Sequence, residues 1–243
     1  MDNRFSNYVY DNVIQINDAD ASRKFIANVF LWMFVALGIS ALCAYLFATD
    51  ATLLTMLYDP ETGRNTVLGT IVMFAPLAFV LLISFGFNRL SYGVLTLLFI
   101  AFAVIMGISL SYILLAYTAG SVLGVFITTS VLFGVMAVAG YTTQQDLTKF
   151  GSIMIMLLIG IIIASLVNMF LKSSGLDMLI SYIGVAVFVG LTAYDVQKLK
   201  RIGAGIEYGD ASSKKMAIMG ALTLYLDFIN LFLMLLRVFG RRK

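Results

Sequence analysis

Two aspartates lie where carboxylates seldom go. Asp195 stands in Leu191-Thr192-Ala193-Tyr194-Asp195-Val196-Gln197-Lys198, and Asp227 in Leu224-Tyr225-Leu226-Asp227-Phe228-Ile229-Asn230-Leu231-Phe232. An ionisable side chain at the centre of a membrane-spanning helix costs roughly 2.5–3.5 kcal/mol on insertion scales, so such residues are functional candidates by default. Asp227 is twelve residues from Lys215, about 18 Å along a helix. Its short stem cannot reach the membrane edge from there. Thr223 at i−4 and Asn230 at i+3 share its face. Such a polar stripe turns toward a bundle interior or a wet cavity, or it makes a plain helix–helix hydrogen bond. Asp195 lies within one or two turns of the membrane edge, and Lys198 at i+3 could pair with it.

Counting leaves the two acids up to two turns apart in depth. An ordinary tilt of about 20° would narrow that gap. If the carboxyls meet in a poorly hydrated place, both cannot ionise. They then share one proton and titrate as a pair with two macroscopic constants. Such a site could change charge over a physiological pH range without histidine. Arg89 could serve as its countercharge, or simply as an anchor at the membrane edge.

The elements that must position these residues follow from composition. The chain has 243 residues, 61% hydrophobic and 12% charged, with a mean hydropathy of +0.97. A soluble domain is roughly 45–50% apolar and about 25% charged, so the solvent for most of this surface is lipid. A water-soluble enzyme, a DNA-binding module and a disordered chain are excluded together. The sequence has no histidine. Intramembrane zinc hydrolases and Ser-His proteases lose their usual ligands and base, and the chain is not expected to be an enzyme. The one cysteine, Cys43, can form neither an intrachain disulfide nor a thiolate cluster.

Stretches free of Asp, Glu, Lys and Arg, long enough to cross about 30 Å of hydrocarbon, predict an all-α membrane protein of seven helices. The first two spans are 25–49 and 65–88, with a kink expected at Pro76. The uncharged run 90–145 would be roughly 84 Å long as one helix. It therefore folds back at Thr118-Ala119-Gly120-Ser121 into spans 91–117 and 121–141. The remaining spans are 150–171, 176–196 and 216–239, and the longest loop is expected near 198–215. Residues 1–22 read as a polar cytoplasmic tail without signal-peptide character, 23–240 as the transmembrane domain and 241–243 as a basic end.

With the N-terminus in the cytoplasm, Arg4, Arg23, Lys24, Arg89, Lys149, Lys198, Lys200, Arg201, Lys214 and Lys215 fall inside. Arg64, Lys172, Arg237, Arg241, Arg242 and Lys243 fall outside. The excess of cations favours this orientation, although the cluster at 241–243 pulls the other way. Gly120-x-x-x-Gly124 reads as packing or turn geometry, and Asp146 as a cap for the fifth span. Gly203-Ala204-Gly205 lacks the Gly-Lys-Ser/Thr of a phosphate loop and reads as a connector. Tyr182, Tyr194 and Tyr225 read as packing or interfacial residues.

Several of these segments resemble a known family. The Leu224–Phe232 stretch with Leu235-Leu236-Arg237 is similar to the seventh-helix signature of the Bax inhibitor-1 family, also called the transmembrane Bax inhibitor motif family. Tyr194-Asp195-Val196-Gln197 resembles its sixth-helix Tyr-Asp-x-Gln motif. Gln145-Asp146-Leu147-Thr148-Lys149-Phe150-Gly151 resembles the segment opening its fifth helix, and Gly107-Ile108-Ser109 a stretch of its third. The resemblance covers about residues 23–240 and is closest to bacterial members, which implies an inner-membrane location.

The resemblance implies seven helices with the last one central, and a pH-sensitive calcium leak. Asp195 and Asp227 would be the paired acids of the pH sensor and ion path, and Arg89 the latch on Asp195. Thr223 and Asn230 would be supporting polar groups. No cofactor is expected. Ca²⁺, a hard cation that favours carboxylate and carbonyl oxygen, would be cargo and would compete with H⁺ or Arg89 for Asp195 and Asp227. Acid is the preferred opening direction. A second reading is an interaction protein whose tail 1–22 engages a membrane-bound protease. A third is a proton-coupled transporter, ranked lower because no inverted repeat is evident.

Overall fold

The computed structural model describes residues 4–205 and 210–243, with side chains from residue 20 onward. Among the described residues seven helices are long and apolar enough to cross a membrane. Helix α1 (Arg4–Thr49) carries the first span, Asp20–Thr49. Its backbone runs on through most of the polar segment that the sequence suggested as a separate tail. A short helix α2 (Ala51–Leu57) and a two-residue hairpin, β1 (Tyr58–Asp59) with β2 (Arg64–Asn65), join it to the second span. The remaining spans are α3 (Val67–Gly86), α4 (Tyr92–Ala116), α5 (Ala119–Thr142), α6 (Thr148–Leu171), α7 (Ser174–Ala204) and α8 (Ala211–Phe239).

Side-chain caps fix several of these starts. Thr66, Ser91, Ser173 and Asp210 each accept a backbone N–H from the first turn of the helix that follows, satisfying a donor that lipid could not. The fold-back at Thr118 forms as expected, and α3 continues unbroken through Pro76.

The connection between the last two spans is shorter than in the sequence reading, because both helices run into it. The sixth span does not end at Val196 but continues as helix to Ala204, leaving residues 205–210 between α7 and α8. Lys198, Lys200 and Arg201 look like loop residues in sequence, yet the added turns are packed. Ser22 Oγ donates to Lys200 O at 3.0 Å, and Phe25, only 1% exposed, lies against Gly203.

Helix α8 is the axis of the bundle. In its most apolar 18-residue stretch 72% of residues are buried, against 11% in α6. It packs on α1, α4, α5 and α7, while α6 leans on α7 and α3 on α4. The outer helices present large apolar side chains such as Phe74, Phe85, Ile163 and Phe170 to lipid. Within the core, Ser40 Oγ of α1 donates to Ala103 O of α4 at 2.6 Å. Its oxygen is therefore free to accept the Tyr225 hydroxyl of α8 at 2.7 Å. One buried polar chain thus joins three helices.

Gly107 lets this contact form, since a Cβ there would lie 2.5 Å from Ser40 O and 2.7 Å from Ser40 Cα. Backbone on the opposing helix cannot yield as a flexible side chain would. Gly107→Ala is therefore expected to destabilise the chain by roughly 1–3 kcal/mol, read as a lowered thermal midpoint in detergent. An unchanged midpoint would show that α1 and α4 can separate at no cost.

Candidate functional site

The last turns of α7 face three elements at once. Tyr194 lays its ring on Gly151 of α6, where any side chain would collide with it. Asp195 points to α8. Gln197, 5% exposed, spans the α5–α6 connection: its Oε1 accepts Leu147 N at 2.9 Å and its Nε2 donates to Gln145 O at 2.7 Å. Gly140 of α5 sits against the backbone of Ala193 and brings the helices close enough for this.

The structure brings Asp195 and Asp227 together. Their carboxyls are within hydrogen-bonding reach, a meeting that counting along the spans could not establish. The extra turns of α7 place Asp195 well inside the helix rather than at its end. Asp227 is 5% exposed, and its Oδ2 is buried with no hydrogen-bond partner among the described residues. Neither carboxylate brings a donor of its own, so the contact needs a proton on one of them. Asp195 is only half-buried and forms the open side of the pair.

The other residues singled out by sequence sit apart from the pair. Arg89 is exposed on the α3–α4 connection, its backbone N–H donating to Gly86 O. Among the described residues no ion pair joins it to Asp195. The cation whose charge reaches Asp195 is Lys198, without closing to an ion pair. Thr223 and Asn230 turn back to their own helix, donating to Met219 O at 3.1 Å and Leu226 O at 2.8 Å. They satisfy themselves rather than Asp227. Among the described residues no three acidic, cysteine or histidine side chains gather to hold a metal.

A polar clamp next to the pair is not visible in the spacing. Arg201 donates to Asp146 Oδ1 at 2.7 Å, to Thr148 Oγ1 at 3.1 Å and to Gln197 Oε1 at 2.9 Å. Lys200 Nζ donates to Tyr141 O at 2.8 Å and lies 4.9 Å from the centre of that ring. Asp146 Oδ1 also accepts Thr148 N at 2.9 Å, one residue ahead of the N-cap position, which is Leu147 and makes no side-chain cap. The sequence resemblance marked Asp146 and the Tyr-Asp-x-Gln segment separately, but no periodicity links residues about fifty apart.

The Thr148 hydroxyl, the Thr148 amide and Arg201 hold the Asp146 carboxyl well below the usual carboxylate range. A depressed folded-state value stabilises the clamp above the ordinary value, and that contribution is lost as pH falls below it. Asp146→Asn is therefore expected to lower the thermal midpoint by a constant amount between about pH 5 and 8. The difference should shrink only below the ordinary value of 3.8. A difference that varied across the neutral range would show that Asp146 titrates there.

The comparisons with known proteins agree with this architecture. Residues 22–243 match the family model described as "Inhibitor of apoptosis-promoting Bax1". The chain is 48% identical over 222 residues to the inner membrane protein YbhL of Escherichia coli K12, covering 91% of this chain and 93% of the relative. It is 43% identical to a Rickettsia prowazekii protein, covering 91% of each chain. It is also 32% identical to a membrane protein of Streptococcus pyogenes serotype M3, covering 95% of this chain and 98% of that one. The seven spans, the central last helix and the match over nearly the whole length make this multi-pass membrane protein a member of the Bax inhibitor-1 family.

Proposed function

We propose that the chain is a pH-sensitive calcium leak whose gate is the Asp195–Asp227 pair. The observation that supports this most directly is a carboxyl–carboxyl contact buried in the axis of a lipid-embedded bundle. A structural hydrogen bond could be made with Asn or Ser at far lower insertion cost, so two acids in contact argue for a proton that comes and goes.

In the contact state one proton bridges the pair and ties α7 to α8. A carboxylic acid bonded to a carboxylate is a charge-assisted hydrogen bond, roughly twice as strong as a neutral one. A second proton converts it to a neutral pair and removes the negative charge that faces Lys198. Acid therefore loosens α7 from α8 at its half-exposed end. Ca²⁺, the cargo, would meet Asp195 first and compete with H⁺ for the same oxygens. Arg89 has no place in this step unless the α3–α4 connection moves inward. The cation excess on the face shared by the α3–α4, α5–α6 and α7–α8 connections supports a cytoplasmic N-terminus.

The test is flux from liposomes loaded with a calcium dye. Wild-type flux is expected to rise as pH is lowered from about 8 to about 6, and Asp195→Asn with Asp227→Asn to abolish that dependence. Arg89→Gln is expected to leave it intact. A pH profile unchanged in the double variant would overturn the gate, and the absence of calcium flux from properly inserted wild-type chain would overturn the leak itself.

A further inference from the structure

The face opposite the acid pair carries a different constellation. Residues 241–243 are pinned to the α4–α5 turn. Thr118 N donates to Arg241 O at 3.0 Å and Lys243 N to Ala116 O at 3.0 Å, with Arg242 bridged antiparallel to Tyr117. Arg241 N donates to Ser121 Oγ at 2.9 Å, Lys243 Nζ to Leu114 O at 2.8 Å, and the Arg242 guanidinium lies 5.9 Å from the centre of the Tyr117 ring. Three cations are thus held at fixed positions beside an aromatic residue at the membrane edge. All three are exposed, and among the described residues none has a carboxylate within 4.0 Å.

Two apolar clefts open beneath them, one on each side of α5. The first, about 280 Å³, lies between α1, α4, α5 and α8 and is lined by Ser40, Leu114, Ala119, Phe126 and Phe232 among others. The second, about 480 Å³, lies between α5 and α8 and is lined by Ser121, Thr128, Leu235 and Phe239 among others. Leu114 and Ser121, which line the clefts, are the residues that bond Lys243 and Arg241. The basic end therefore sits at both mouths. Lys243 Nζ uses one of its three donors on Leu114 O, leaving two.

We propose that these clefts and the basic end bind one anionic phospholipid, its phosphate on Arg241 and Lys243 and its two acyl chains laid on either side of α5. Charge complementarity favours this occupant. Basic pockets between spanning helices suit anionic headgroups, whereas a zwitterionic lipid brings no net negative charge to the three cations. A second protein would need a face that is apolar along two grooves and acidic at their common end.

The full-length chain in detergent is offered phosphatidylglycerol and phosphatidylcholine of matched acyl chains, and retained lipid is read by native mass spectrometry. The expected result is one phosphatidylglycerol per chain, with a preference over phosphatidylcholine that falls about fivefold for each charge removed in Arg241→Gln, Arg242→Gln and Lys243→Gln. These variants keep the backbone pairings. Ala41→Phe, which narrows the first cleft from its lipid-facing side, is expected to weaken retention of both lipids and to leave the charge preference unchanged. Glycerol phosphate, which lacks acyl chains, is not expected to displace the lipid. Equal retention of the two lipids, a preference unaffected by the glutamine variants, displacement by glycerol phosphate, or a dimer that covers the clefts with lipid absent would each overturn the site.

Discussion

A carboxyl group buried in the axis of a lipid-embedded bundle must find its hydrogen-bond partner inside the protein. Asp227 satisfies that constraint through Asp195, and much of the surrounding packing serves to make the meeting possible. Helix α7 has to run close to α8 over its whole buried length. It does so because Gly184 seats Met234 and Gly220 seats Leu199. It also extends beyond Val196, where Lys200 bonds the last turn of α5, Arg201 the α5–α6 connection and Ser22 the Lys200 carbonyl.

Tyr194, Asp195 and Gln197 occupy a single turn and address α6, α8 and the α5–α6 connection in that order. A rotation or slide of α7 that parts the carboxyls must also strain the bonds of Gln197. The short motif therefore couples the acid pair to a polar clamp that keeps its charge across the neutral range. Asp146, with its three donors, is fixed as an anion.

The spans themselves were legible in the sequence because lipid leaves a simple signature, long runs without charge, and six of the seven spans match those runs to within about five residues at each end. The end of α7 was not legible. Lys198, Lys200 and Arg201 look like a solvated loop until the partners on α5 and its following turn are in place, and those lie about fifty residues away. Asp195 therefore lies nine residues before the end of α7 rather than at its last turn. The Ala103–Ser40–Tyr225 chain was equally hidden, because a serine and a tyrosine in apolar runs are too common to signal one another. Thr223 and Asn230 share the face of Asp227 as periodicity requires, yet each bonds to its own backbone. Sharing a face did not make them partners.

The order of synthesis gives the central position of α8 a further meaning. The helix on which α1, α4, α5 and α7 all pack is the last of the seven to leave the ribosome. The earlier spans also pack on one another, α1 on α4 and α5 and α6 on α7, but the Tyr225 hydroxyl that meets Ser40 is made only with α8. Spanning helices form first and associate afterwards. In this protein the contacts that α1, α4, α5 and α7 make with α8 can form only after that helix has entered.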